Sequence, residues 1–226
     1  MTTLSNRLGF WSATAGTALF LLFTVCFIAI AANPPLFIWT NLADYLEYTR
    51  SHNQLFKYLA QSAMLLFGPV FLVLLHAIHE DAPAEKKLLS RIATSFGLGF
   101  AVLTGIHYFL QLSIVRQSEL SGTLDGIGQF LQANPHAAIL AIDMLGWTLF
   151  LGLATLFVVP LFPGKGLQKT IRYALLINAC CCLLGGVGFV LELVPLVFLT
   201  INLGMGGAMT VAMAGLMVYY FRKKKI

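Results

Sequence analysis

Three ionisable residues lie within long apolar stretches of this 226-residue chain: His107, Asp143 and Glu192. A charged group at the centre of a bilayer costs about 3 kcal/mol or more, so such residues usually pair with one another or serve a function. A histidine beside a carboxylate can act as a general base, with the carboxylate orienting the ring. If the protein is an enzyme, His107, Asp143 and Glu192 are its candidate catalytic residues.

Neighbouring polar and aromatic residues extend this set. His107 and Gln111 are four residues apart and share a helical face, and Asp143 and Trp147 are related in the same way. The side chain of Arg116 is long enough to reach back toward Asp143 or Glu192. A buried carboxylate needs such a partner, or it holds its proton. The candidate ligand-binding residues are His107, Tyr108, Gln111, Arg116, Asp143, Trp147, Glu192 and Asn202.

The elements that must position these residues are six long apolar runs. Hydrophobic residues make up 58% of the chain and charged residues 10%, against about 25% charged in a soluble domain. Mean hydropathy is +0.84. We therefore predict an all-α, six-helix integral membrane bundle that forms one transmembrane domain over residues 1–226. The expected spans are about 11–32, 59–79, 92–115, 138–161, 172–194 and 196–220.

The distribution of lysine and arginine predicts the orientation of the bundle. With the N-terminus inside, eleven of these residues fall in inner segments and three, Arg50, Lys57 and Arg116, in outer segments. Both termini are then cytoplasmic, and we expect a prokaryotic cytoplasmic (inner) membrane. At about 1.5 Å per residue, the candidate residues of four spans fall into one layer in the outer half of the membrane.

Two outer segments are longer and partly apolar, which predicts short interfacial helices on the outer side. In the first, Leu42, Tyr45, Leu46 and Thr49 follow helical spacing, and Asn41 or Thr40 is positioned to cap the helix. In the second, about residues 117–137, apolar residues such as Leu124 and Ile127 indicate another short helix, a lid or a plug. Both segments are equally compatible with a simple cover on the end of the bundle.

Rows of small residues recur every four positions in the third and sixth spans, at Gly97, Ala101 and Gly105 and at Gly204, Ala208 and Ala212, and three glycines crowd the fifth. Such rows let helices approach closely in lipid, which favours packing within the bundle and leaves open a homodimer or a membrane-protein partner. The four cysteines match no zinc or redox spacing and are interpreted as packing residues.

Other chemistries are not favoured. The sequence has no P-loop and no nucleophile elbow, and its positive charge lies in short loops, which argues against nucleic acid. A His-Asp-Glu set contains ligand types for zinc or iron, but ligands on three helices are a weak signal. His76, His79 and Glu80 share a face, yet they lack the order of a zinc peptidase and are interpreted as interfacial polar residues. We predict no metal and no cofactor.

Three interpretations of the polar layer remain open. It is a structural network that fixes helix register, a ligand pocket that opens outward, or a catalytic site. Our first hypothesis is a non-enzymatic membrane protein that binds or passes a small amphipathic or lipidic ligand through this pocket. The alternatives are a membrane-embedded hydrolase or transferase acting at the outer leaflet, and an accessory subunit of a larger membrane complex.

Overall fold

A computed structural model describes residues 4–32, 37–122 and 125–224, and these ranges contain helices and no strand. Six helices within them are long and apolar enough to span a membrane, as the composition predicts. They are α1 (Leu4–Ala32), α3 (Leu55–Asp81), α4 (Ala84–Ser121), α5 (Ala138–Leu161), α6 (Leu167–Val190) and α7 (Val194–Lys224). A short helix, α2 (Leu42–Ser51), joins α1 to α3.

The long helices alternate in direction and pack side by side. Helix α1 contacts α3 and the Met209–Lys224 part of α7, and each helix from α3 to α6 contacts the next. Fully buried side chains such as Phe67, Phe100, Leu151 and Met209 fill the space between them. We call the end that carries both chain termini the terminal end, and the opposite one the α2 end.

Helix α2 forms where the sequence predicts a short amphipathic helix. The Asn41 side chain accepts a hydrogen bond from the Asp44 N–H at 3.0 Å, which caps the first turn as expected. Tyr45 and Leu46 are buried, whereas Asp44 and Glu47 are exposed. The helix therefore turns its apolar face toward the bundle.

The segment after α4 covers the same end. A 3-10 turn over Ile127–Phe130 buries Ile127, and Leu131 beside it is 1% exposed. Both pack with Tyr45 and Val115 in a small apolar cluster. Whether this segment is a short interfacial helix, a lid or a plug stays a prediction, and Leu124 lies outside the described residues.

Three of the long helices change from α to π geometry in the half nearer the α2 end. The π segments are Gln111–Val115 in α4, Gly146–Phe150 in α5 and Ile201–Ala208 in α7. A π turn adds a residue and leaves backbone groups less regularly paired, and such turns occur frequently at functional sites. The amino-acid sequence carries no clear signal for these segments.

The small-residue rows serve packing inside the bundle. A side chain at Gly97 would collide with Leu75 of α3, and one at Gly204 would collide with Cys181 of α6. At Gly185, an added Cβ would lie 2.7 Å from Thr200 Oγ1. Gly105 differs, since open space surrounds it. Close helix approach thus accounts for most of these glycines.

The helices extend beyond several of the spans expected from hydropathy, because they continue into polar residues at both ends. Helix α3 runs through Pro69 without interruption. As predicted, a very tight turn separates the last two helices: α6 ends at Val190 and α7 begins at Val194, with Pro195 in its first turn. Glu192 lies in that turn with a φ of 57°, a left-handed conformation that side chains other than glycine rarely adopt.

Candidate functional site

A cavity of about 600 Å³ separates α1 from the first part of α7. Helix α1 packs against the Met209–Lys224 part of α7, but the π segment of α7 stands off from it, and the cavity occupies the gap. Leu21, Phe27 and Phe198 on its rim are exposed on the apolar surface, so the cavity opens sideways between the two helices. Its lining consists of Phe20, Leu21, Phe23, Thr24, Phe27, Met64, Tyr108, Asp143, Met144, Trp147, Phe198, Ile201, Asn202, Met205, Gly206, Gly207 and Thr210.

Asp143 is the acidic group of this cavity. It lies in the second turn of α5 and is 5% exposed. Its Oδ2 atom lies 3.8 Å from His107 Nε2, which exceeds hydrogen-bond distance. Its Oδ1 atom is buried and has no hydrogen-bond partner among the described residues. Buried polar atoms are normally paired, so this oxygen marks a position where an additional donor would be stabilising.

His107 lies behind the cavity. The side chain is fully buried, and its Nδ1 atom is 3.2 Å from the carbonyl oxygen of Ile139. Because a carbonyl only accepts, Nδ1 carries the proton in this bond and Nε2 faces Asp143. Tyr108 packs edge-on against the His107 ring with centroids 4.7 Å apart and lines the cavity itself. The expected proximity of His107 and Asp143 is present, whereas their roles remain predictions.

Aromatic rings form the inner wall of the cavity. Trp147 stacks nearly parallel to Phe67, at 6.2 Å between centroids and an interplanar angle of 6°. It also meets Phe20 and Phe100 edge-on. Trp147 belongs to the π segment of α5, one helical turn after Asp143. Ring packing therefore fixes the wall immediately beside the carboxylate.

A buried amide in α6 supports the other wall. Asn178 is fully buried, and its Nδ2 donates to the carbonyl oxygen of Gly204 at 3.1 Å, inside the π segment of α7. Its Oδ1 accepts from the Thr155 hydroxyl at 3.0 Å. Sequence reasoning missed Asn178, although an amide in the middle of the run 172–194 was the available signal. Asn178 thus supplies a hydrogen-bond donor to a backbone carbonyl of the π segment of α7. The same segment contributes Asn202, Gly206 and Gly207 to the cavity lining.

A smaller cavity of about 190 Å³ lies at the α2 end, near the first cavity along α1. Four glutamines are among its lining residues: Gln54, Gln61, Gln111 and Gln132. Gln61 donates to Gln132 Oε1 at 2.9 Å, and Gln111 donates to the carbonyl oxygen of Phe130 at 2.6 Å. Gln111 thus anchors the covering segment to α4, in a different cavity from Asp143.

Glu119 at the end of α4 forms a second acidic centre that sequence reasoning missed. Lys57 Nζ lies 3.2 Å from Glu119 Oε1, the Tyr45 hydroxyl donates to the same oxygen at 2.7 Å, and the Tyr58 hydroxyl donates to Oε2 at 3.1 Å. Burial first, and then the charge of Glu119, raise the pKa of Tyr45 far above its ordinary value. The cluster ties α2, α3 and α4 together.

Besides His107, which lies behind it, three predicted site residues are outside the lining of the Asp143 cavity: Gln111, Arg116 and Glu192. Glu192 is exposed in the α6–α7 turn, because α6 ends at Val190 and the turn directs the chain away from the bundle interior. Its inclusion in the buried layer was wrong. Arg116 does not reach Asp143 or Glu192 either, since its guanidinium carbon lies 5.6 Å from the centre of the Tyr58 ring. Tyr108, Asp143, Trp147 and Asn202 do line one cavity.

The terminal end carries a shallower pocket of about 250 Å³ that includes His76, His79 and Arg91. His79 Nδ1 lies 2.7 Å from the Ser90 hydroxyl. Across residues 4–32, 37–122 and 125–224, no group of three or more His, Cys, Asp or Glu side chains is arranged to hold a metal ion.

These features define an all-helical protein with six apolar, membrane-length helices and a lateral cavity that contains one buried acid. Compared with known proteins, the chain matches no family, no curated protein sequence and no solved structure. Function must therefore be inferred from the geometry of the site.

Proposed function

We propose that this protein binds, or passes between membrane and solvent, a small amphipathic or lipidic ligand in the cavity between α1 and α7. The observation that carries the proposal is the cavity of about 600 Å³, which is walled by aromatic and aliphatic side chains and contains Asp143 with an unpartnered buried oxygen. Ligand sites are typically apolar cavities with a few orienting polar groups. The apolar part of the ligand contacts the rings, and its polar part meets Asp143.

The sideways opening favours a ligand that enters from the bilayer. Rim residues such as Phe27 and Phe198 are exposed on the apolar surface of the bundle, at 39% and 66%. A molecule dissolved in the acyl chains meets this opening without crossing water. A water-soluble ligand would need a polar entrance, and the lining contains only a few polar side chains.

We also propose that both termini are cytoplasmic, in a prokaryotic inner membrane, so that the cavity lies in the outer half of the membrane and α2 on the outer interface. The excess of lysine and arginine at the terminal end, eleven against three, supports this orientation. A fluorescent-protein fusion at the C-terminus tests it, because such fusions fluoresce in the cytoplasm. A dark fusion, with an active periplasmic phosphatase fusion at the same position, contradicts the orientation.

The enzymatic alternative has less support. His107 would be the base, but it is fully buried and lies outside the cavity lining, so it does not meet a molecule held there. An accessory subunit needs an unoccupied interface, and most glycines of the small-residue rows already contact neighbouring helices within the chain. Neither alternative explains the lateral cavity or the unpartnered oxygen of Asp143, and ligand binding explains both.

Native mass spectrometry of the purified protein tests the proposal. Gly206 lines the cavity, and an added Cβ there would meet nothing closer than the carbonyl oxygen of Ile201 at 3.6 Å. The Gly206→Phe variant should therefore fold and place a ring in the cavity. We expect a small-molecule adduct on the original protein and its loss from Gly206→Phe.

Gly105 provides the matched control, because it lies on α4 in open space and away from the cavity. Gly105→Phe should retain the adduct. If Gly206→Phe fails to fold, Gly207→Phe repeats the test, since Gly207 also lines the cavity and its Cβ has similar room. An adduct that survives in a folded cavity variant, or no adduct on the original protein, overturns the proposal.

A further inference from the structure

We infer that the ligand of the α1–α7 cavity is a lipophilic organic cation, and that it competes with a proton for Asp143. The inference rests on the proposed function and names the ligand class for the same cavity. Three observations support the inference. They are the charges of the cavity lining, the distance between Asp143 and His107, and the aromatic rings around the cavity.

The cavity contains an acid without a counter-charge. Asp143 is the only Asp, Glu, Lys or Arg among its lining residues. From α1, α3 and α7 the lining presents neutral side chains, of which Thr24, Asn202 and Thr210 are polar. An ionised carboxylate in so apolar a setting needs a cation or several strong donors to offset its lost hydration. These helices supply neither, and the hydrogen bond from Trp147 of α5 adds a single neutral donor.

The titratable groups that face Asp143 are His107 and Tyr108, both from α4. A protonated His107 would supply the counter-charge if its ring donated to the carboxylate. The Nε2 to Oδ2 distance of 3.8 Å is too long for that bond, and Nε2 has no hydrogen-bond partner in the described part of the chain. The imidazole therefore does not satisfy Asp143, whose Oδ1 atom is also unpaired.

Aromatic side chains supply the second half of the recognition. Phe20, Phe23, Phe27, Tyr108 and Trp147 all line the cavity. The face of an aromatic ring attracts a cation, and binding of quaternary ammonium groups among several rings is the best-known functional case. A neutral amphiphile would gain apolar contact from these rings and, at most, a hydrogen bond to the acid. A bulky, weakly hydrated cation gains both ring contact and attraction to the ionised acid.

Proton and cation then exclude each other. A protonated carboxylic acid carries no charge to pair with a cation, so binding requires the ionised acid. Acidifying the solution should weaken cation binding, and adding the cation should displace a proton. A neutral ligand that binds through the rings alone shows no such exchange.

Binding of tetraphenylphosphonium to the detergent-purified full-length protein tests the inference, with tetraphenylborate as an anion of nearly the same shape. We expect saturable binding of the phosphonium, no saturable binding of the borate, and weaker phosphonium binding at lower pH. Asp143→Asn keeps the side-chain shape and removes the charge, and should weaken phosphonium binding by about tenfold or more, the lower end of the coupling between close opposite charges. Asp125→Asn, at an exposed turn far from the cavity lining, should bind as the original does.

The outcomes separate the two proposals. Equal binding of phosphonium and borate, or unchanged phosphonium binding by Asp143→Asn, overturns the cation inference. If the adduct in native mass spectrometry is still lost in Gly206→Phe and retained in Gly105→Phe, the cavity holds a ligand of another class and the proposed function survives. If Gly206→Phe retains the adduct, the proposed function fails whatever the phosphonium result.

Discussion

Glu119 and Asp143 are two carboxylates with nearly equal burial, at 7% and 8% side-chain exposure, and opposite surroundings. Glu119 receives Lys57 and two tyrosine hydroxyls, so both of its oxygens are paired. Asp143 has one oxygen 3.8 Å from an imidazole and one with no partner in the described chain. Because both oxygens of Glu119 are paired, its burial is explained by contacts within the fold. The unpartnered oxygen of Asp143 instead indicates an interaction with a group outside the described chain.

Removing Glu119 should have the largest effect on stability. Glu119→Ala leaves Lys57 partly buried without its counter-charge and frees two tyrosine hydroxyls. We expect the free energy of unfolding to fall by about 3 kcal/mol, as when one partner of a buried ion pair is removed. Chemical unfolding in detergent measures the change, with Glu47→Ala on the exposed face of α2 as the control. Equal stability of the two variants contradicts a structural role for Glu119.

Asn178→Ala should cause the next largest loss in the free energy of unfolding. The change deprives the Gly204 carbonyl of its donor and the Thr155 hydroxyl of an acceptor in a fully buried setting, at a cost of about 2 kcal/mol. Asn202 offers a comparison, since it is exposed and its amide donates to Phe198 of its own helix. Asn202→Ala should change the unfolding free energy by less than about 0.5 kcal/mol. A smaller loss for Asn178→Ala than for Asn202→Ala would show that the α7 wall does not depend on the amide.

Tyr45→Phe tests the surroundings of Glu119 through the pH dependence of stability. It removes one hydrogen bond to a charged acceptor and should cost about 1.5 kcal/mol at neutral pH. Because the pKa of Tyr45 is raised in the folded protein, its stabilisation is complete below about pH 10 and is lost as the pH rises above that value. Melting temperatures across this range should fall less steeply for Tyr45→Phe than for the original protein. Parallel curves would contradict the placement of Tyr45 beside Glu119.

Asp143→Asn should have the smallest effect on stability. Asp143 has no ionic partner, and asparagine keeps an oxygen that can accept from Trp147, so the unfolding free energy should stay within about 0.5 kcal/mol of the original value or rise. Chemical unfolding in detergent checks this prediction, with Asp143→Asn and Glu119→Ala measured under the same conditions. A loss as large as that of Glu119→Ala would make Asp143 a structural residue and remove the contrast between the two acids.

Sequence predicted the architecture well, because hydropathy and helix length report directly on membrane-spanning helices. The Asn41 cap and the buried face of α2 followed from local spacing. The proximity of His107 and Asp143 followed from their similar distance along adjacent antiparallel helices. These are properties of single helices and of their order in the chain.

The rest depends on geometry that a single sequence does not encode locally. The π segments that widen α4, α5 and α7 have no reliable sequence signature, so the cavity between α1 and α7 was not foreseen. Glu119 was overlooked because it lies near a polar loop, and Lys57 was counted only for orientation. Glu192 was placed in the buried layer because its position was extrapolated along an ideal helix, but α6 ends two residues earlier.

Native mass spectrometry of Asp143→Asn and Glu119→Gln in the same detergent tests the central claim most directly. If Asp143 faces a ligand and Glu119 maintains the fold, Asp143→Asn loses the bound molecule and keeps its melting temperature. Glu119→Gln keeps the molecule and melts at a lower temperature. The reverse pattern, with the adduct retained by Asp143→Asn and lost from a folded Glu119→Gln, would contradict the account.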